Sequence, residues 1–101
     1  MVLGHNNCGA VGAAIKAMEK HEDLPGHIQI LASAISPAVK EAFEKDPKSV
    51  AEYATRQNVR NNVIKLREGT SLISQRVADN QLKVVGGLYN LKTGRVELID
   101  A

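Results

Sequence analysis

Along the chain the spacing of apolar positions changes several times, and each change marks an element. Met1-Val2-Leu3-Gly4 is a short apolar run that reads as the tail of a buried strand. Such strands commonly hold about five or six residues, so this one reads as cut short. From Cys8 to Lys20 the period becomes helical. Val11, Ala14, Ile15 and Met18 recur at three- and four-residue intervals and leave Lys16, Glu19 and Lys20 for solvent. Gly9, Ala10, Gly12 and Ala13 keep this helix slim enough to lie close on a sheet, and Asn7 is its expected N-cap. Pro25-Gly26 closes the loop that follows.

A second helical stretch runs from about His27 to Ile35, with Ile28, Leu31 and Ile35 on one face. Ser36-Pro37 reads as a cap and first-turn proline, opening a further helix whose apolar side is Val39, Ala42 and Phe43. Asp46-Pro47 repeats that start signal. The longer helix after it reaches about Arg67, turning Val50, Tyr53, Ala54, Val59, Val63 and Leu66 inward, and Gly69 is its expected stop. Ser71 is expected to cap a short helix carrying Leu72, Ile73 and Val77. Leu82 to Tyr89 is a nearly continuous apolar run, hence a buried strand. Asn90 to Gly94 holds a turn, and Arg95 to Ile99 alternates as an edge strand does. The class is α/β: a partial parallel sheet, a right-handed helical crossover between its first two strands, and a C-terminal antiparallel hairpin strand.

Composition narrows the function classes. Hydrophobic residues make up 44% and charged residues 24%, which is globular, and residues 1–101 form one domain, expected to be truncated. Aromatics are 3% with no Trp, so the core is aliphatic. No apolar run approaches the roughly 18 residues of a membrane span, and the opening residues lack the basic segment of a signal peptide. A net charge of +2 without stacking aromatics gives no sign of nucleic-acid binding. The single cysteine excludes an internal disulfide and leaves a free thiol, an intermolecular bridge or a metal ligand, with a reducing cytoplasm as the expected compartment.

The chemistry concentrates in Gly4-His5-Asn6-Asn7-Cys8-Gly9, at the joint between the first strand and first helix. Open α/β sheets place their sites at the carboxyl ends of parallel strands. A cysteine in the first turn of a helix meets free N–H groups and the positive end of the helix dipole, which favour the thiolate that binds a metal. His5 could bring an imidazole nitrogen to the same ion. The residues equally allow a buried cysteine beside a histidine satisfied by a backbone carbonyl, or a cysteine nucleophile with a histidine base, though no orienting Asp or Asn is identified. His21 and His27 flank a polar loop and read as solvent-exposed. Gly86-Gly87 reads either as an approach of backbone to the site or as close packing. Arg56, Arg60, Lys65 and Arg67 read as a solvated helix face.

Val2-Leu3-Gly4-His5-Asn6-Asn7-Cys8-Gly9-Ala10-Val11 resembles the second zinc motif of the β-class carbonic anhydrases, Gly-His-x-x-Cys-Gly. The resemblance continues through Gly26-His27-Ile28, Ile35-Ser36-Pro37-Ala38, Asn58-Val59 and the run from Leu82 to Val96. It implies a zinc enzyme that reversibly hydrates carbon dioxide to bicarbonate, with Zn2+ held by two cysteines and a histidine, of which His5 and Cys8 match the histidine and second cysteine. It also implies a homodimer or larger oligomer, and relatives that hydrolyse carbon disulfide or carbonyl sulfide. The family's first motif, Cys-x-Asp-x-Arg, is absent from this sequence, which holds no second cysteine. The implied consequences are a half zinc site and a chain inactive by itself. The competing expectation is a structural or dimerising remnant, with two copies pooling their His5 and Cys8 into one Cys2His2 site as one form of it.

Overall fold

The computed structural model describes residues 1–99; the last two residues of the expected domain lie outside them. In chain order the elements are β1 (Val2–His5), α1 (Gly9–Lys20), α2 (Ile28–Lys45), α3 (Val50–Gly69), α4 (Ser71–Ala78), β2 (Gly86–Tyr89) and β3 (Val96–Ile99). The sheet runs β1-β2-β3, with β1 parallel to β2 and β2 antiparallel to β3. This is the expected α/β architecture, with all four helices inside the crossover.

α3 organises the molecule because its two sides face different partners. Ala54 joins Val11, Ala14, Ala32, Ile35, Val39 and Ala42 in a cluster built with α1 and α2. Val59 and Val63 join Val84 and Ile99 in a second cluster against the sheet. Thr55, Val59 and Val63 follow one another at i+4 and are all buried, so one ridge of the helix lies on the strands. The glycines decide how closely. A Cβ on Gly4 would stand 2.7 Å from Val59 Cγ2, and one on Gly86 would stand 2.7 Å from Val59 Cγ1. The two methyls of Val59 thus occupy the space that side chains on β1 and β2 would fill. Gly86-Gly87 therefore serves close packing and not an approach to the site.

Four expectations change. Ser36-Pro37 does not start a new helix: α2 runs unbroken through Pro37. A proline inside a helix forfeits the bond to the carbonyl four residues back. Here that carbonyl is Ser33 O, and the Ser36 hydroxyl donates to it at 2.8 Å. The buried stripe Ala32, Ile35, Ala38, Val39 and Ala42 continues across the proline and rewards continuity. Secondly, the strand expected from Leu82 begins only at Gly86. The Val84 carbonyl accepts from Arg67 Nη2 at 3.0 Å, so it is bound to α3 and not to a neighbouring strand. Thirdly, Thr70 caps α4 in place of Ser71, its Oγ1 accepting from the Ile73 N–H at 3.3 Å. Finally, Leu66, expected inward, is exposed, as are Ile28 and Leu31 on the expected apolar face of their helix and Leu72 of the short helix.

Among the described residues the sheet is covered on one face only. On the face away from α3, Met1, Leu3, Val96 and Leu98 are 65%, 53%, 46% and 68% exposed. Among the described residues no helix is long and apolar enough to cross a membrane.

The Val59 contact makes a direct prediction. Gly86→Ala should destabilise by about 1–3 kcal/mol through overpacking, lowering Tm by several degrees or more. Gly86→Ala combined with Val59→Ala should lose less than the sum of the single variants, by at least about 0.5 kcal/mol. Thermal unfolding of the four proteins measures both numbers.

Candidate metal half-site

The parallel register pairs His5 with Tyr89, so β1 and β2 end level with one another. Beyond that line the chain turns sharply into α1. The Asn6 N–H donates to the Tyr89 carbonyl at 3.2 Å, which carries the ladder one residue past the strand. Asn7 then adopts φ 53°, the left-handed region that asparagine tolerates better than most residues. Cys8 occupies the N-cap position itself, with φ −74° and ψ 119°, and its carbonyl accepts the first helical bond, from Gly12 at 3.0 Å. Asn7 is therefore not the cap: its backbone makes the corner. Among the described residues no side chain caps this helix end, and Cys8, half-buried, packs against the cluster that joins α1, α2 and α3.

The imidazole of His5 is fixed on one side. Nδ1 lies 2.8 Å from the Asn6 carbonyl oxygen, and because a carbonyl only accepts, Nδ1 donates. Nε2 is left as the basic nitrogen. His5 and Cys8 thus supply a nitrogen and a sulfur of the kind zinc prefers, on one four-residue loop. They fit zinc in chemical type and fall short in number: among the described residues no group of three or more His, Cys, Asp and Glu is placed to hold a metal. His21 ends α1 as its C-cap and His27 precedes α2, both exposed. Twelve helical residues separate His21 from Cys8, about 18 Å of rise, so neither extends the pair.

A cavity of about 820 Å³ opens beside the loop, between α1, α3 and the β2–β3 hairpin. Cys8 and Asn6 form one wall, Thr55 and Arg56 another, and Tyr89 and Glu97 a third; His5 is not part of the lining. Arg56 is not on a solvated face. Its guanidinium donates to both carboxylate oxygens of Glu97, at 3.2 and 2.8 Å, and lies 3.6 Å from Glu52. The paired hydrogen bond raises the pKa of Arg56 and holds the Glu97 carboxyl below its ordinary value. Arg67, bound to the Val84 carbonyl, is likewise structural.

With the geometry in place, the relatives become informative. A sequence model described as carbonic anhydrase matches residues 1–96. The chain belongs to the carbonic anhydrase family. The carbonic anhydrase of Mycolicibacterium smegmatis (strain ATCC 700084 / mc(2)155) is 32% identical over 98 residues, covering 97% of this chain and 47% of that protein. Carbonic anhydrase 2 of Mycobacterium tuberculosis (strain ATCC 25618 / H37Rv) is 34% identical over 100 residues, covering 99% and 48%. The solved structure of the β-carbonic anhydrase CcaA superposes with a TM-score of 0.76 at 24% identity, covering 98% of this chain and 45% of that one. The fold is that of a partial β-carbonic anhydrase. The chain spans about half the length of the curated relatives it matches.

The partnership of Asn6 with the hairpin, and that of Arg56 with Glu97, escape sequence reasoning. Arg56 and Glu97 stand 41 positions apart, and neither residue type is unusual where it occurs. Their pairing has a pH signature. The lowered pKa of Glu97 means its contribution is present above the ordinary carboxylate value of 4.5 and is lost as pH falls through the lowered folded value. The Tm of the wild type should exceed that of Glu97→Gln at neutral pH. The gap should close progressively below the ordinary carboxylate range, as followed by thermal melts across an acid series.

Proposed function

We propose that this chain contributes His5 and Cys8 as two ligands of a zinc centre that interconverts carbon dioxide and bicarbonate, as the C-terminal part of a β-class carbonic anhydrase. One observation carries the reading. In a chain of this family, the only cysteine and a histidine with its basic nitrogen fixed stand on one loop at the carboxyl end of a parallel strand. Zinc held there would lower the pKa of a bound water toward neutrality and so supply a nucleophile. The chain's own part is to orient the imidazole through Asn6, present the thiol at α1's N-terminus, and wall one side of the cavity.

The remaining ligands come from outside these residues, supplied by further family polypeptide or by a second copy. The chain alone is then inactive. The uncovered apolar face of the sheet supports a homodimer or larger assembly, since a face of this kind is a surface on which polypeptide packs. A ligand thiol must stay reduced, which fits the cytoplasm. A second reading, a structural or dimerising remnant, is favoured by the shortfall of donors.

Zinc content separates these readings. Co-expression with a polypeptide carrying a Cys-x-Asp-x-Arg segment should give about one zinc per chain and carbon dioxide hydration, with the chain alone inactive. Cys8→Ser should then reduce both metal retention and rate by at least about tenfold, since ligand loss costs no less than loss of a supporting contact. One zinc per two chains of the isolated protein would point to a Cys2His2 site shared between copies. Co-expressed protein that binds no zinc, or whose activity survives Cys8→Ser, would overturn the proposal.

A further inference from the structure

The contact that leaves His5 Nε2 basic is made to the next residue's own carbonyl, and a loop of this length offers that carbonyl many directions. What removes the freedom is Asn6. Its N–H donates to the Tyr89 carbonyl at 3.2 Å, and its side-chain Oδ1 accepts from the Leu91 N–H at 2.9 Å. The two bonds hold the residue at both ends to a stretch of chain 85 positions away. That stretch is itself locked. Asn90 Oδ1 accepts from the N–H groups of Lys92 and Thr93 at 2.9 and 3.1 Å, the Asn90 carbonyl accepts from Gly94 at 2.8 Å, and the Asn90 N–H donates to Arg95 at 2.9 Å. Gly94 closes the turn at φ 74°, where side chains are rare.

We propose that Asn6 is a positioning residue for the metal half-site: by clamping the His5–Cys8 loop to the β2–β3 turn, it aims its carbonyl at His5 Nδ1 and so fixes the imidazole tautomer that exposes Nε2. The proposal rests on the zinc reading for its purpose, but its physical content stands without metal. A supporting group of this kind typically changes metal affinity by about 10–100-fold. In this arrangement Asn6 acts through His5, and Leu91 acts through Asn6.

Two variants attack the clamp from opposite ends. Asn6→Ala removes the acceptor, and Asn6→Asp restores one. Leu91→Pro removes the donor without altering the loop. Leu91 is exposed, stands directly after Asn90 in the turn, a position at which turns commonly accept proline, and is not among the residues with positive φ. Nitrogen-15 imidazole spectra of the metal-free chain, taken in mildly alkaline solution where a free imidazole is neutral, read the tautomer directly, and the backbone amide spectrum of each variant checks folding. The wild type should show His5 as a single Nδ1–H tautomer, Asn6→Ala and Leu91→Pro should show a mixture, and Asn6→Asp should return to the single form. A wild-type ring in the Nε2–H form, or a single Nδ1–H form retained in both Asn6→Ala and Leu91→Pro, would overturn the inference. Zinc affinity of the co-expressed complex should fall about tenfold or more in Asn6→Ala and Leu91→Pro; an affinity indifferent to both would overturn the positioning role. A wild-type complex that binds no zinc would instead defeat the zinc reading, and the tautomer spectra would still decide the clamp.

Discussion

The arrangement depends on a close approach: Val59 of α3 seated between Gly4 of β1 and Gly86 of β2. Two adjacent strands are without side chains where one helix touches them, so the helix settles on bare backbone. The same contact brings the carboxyl ends of β1 and β2 level under α3's N-terminal half, where Thr55 and Arg56 meet the cavity. A larger residue at either glycine would lift the helix, and with it the wall that faces Cys8. Close packing and site geometry here are one constraint.

From that constraint the loop follows in short steps. β1 ends in register with β2, so Asn6 reaches one residue further along the ladder and Asn7 must turn the chain. A left-handed corner at Asn7 delivers Cys8 to the start of α1. The carbonyl of Asn6 meets the imidazole, and the hairpin holds Asn6 in place. The zinc reading asks nothing else of this chain: a nitrogen and a sulfur, presented from one rigid corner. What it asks of other polypeptide is at least one more ligand and cover for the face formed by Met1, Leu3, Val96 and Leu98.

Much of this was legible in the sequence. The strand–helices–strand–strand order follows from changes in apolar period, and the His5–Cys8 motif with the run from Leu82 to Val96 points to the family. Pro37 misled because propensity treats a proline as a boundary, whereas Ser36 satisfies the carbonyl it orphans and the buried stripe carries the helix through. The β2 boundary misled because Arg67, seventeen positions earlier, claims the Val84 carbonyl. Exposure of Leu31, Leu66 and Leu72 shows the other limit: periodicity marks a face as apolar but does not say that this chain covers it. The Asn6–Leu91 bond spans nearly the whole chain and carries no local signal.

The central claim is that His5 and Cys8 act on one ion together. Cobalt(II) titration of the co-expressed, metal-free complex tests it most directly, because cobalt takes zinc-like ligand sets and reveals thiolate ligation by an intense near-ultraviolet charge-transfer band. The account predicts such a band, with its intensity roughly halved and affinity lost in Cys8→Ser, and with affinity lost in His5→Ala. A wild-type protein that gives no thiolate band, or a band and affinity unchanged by His5→Ala, would contradict it.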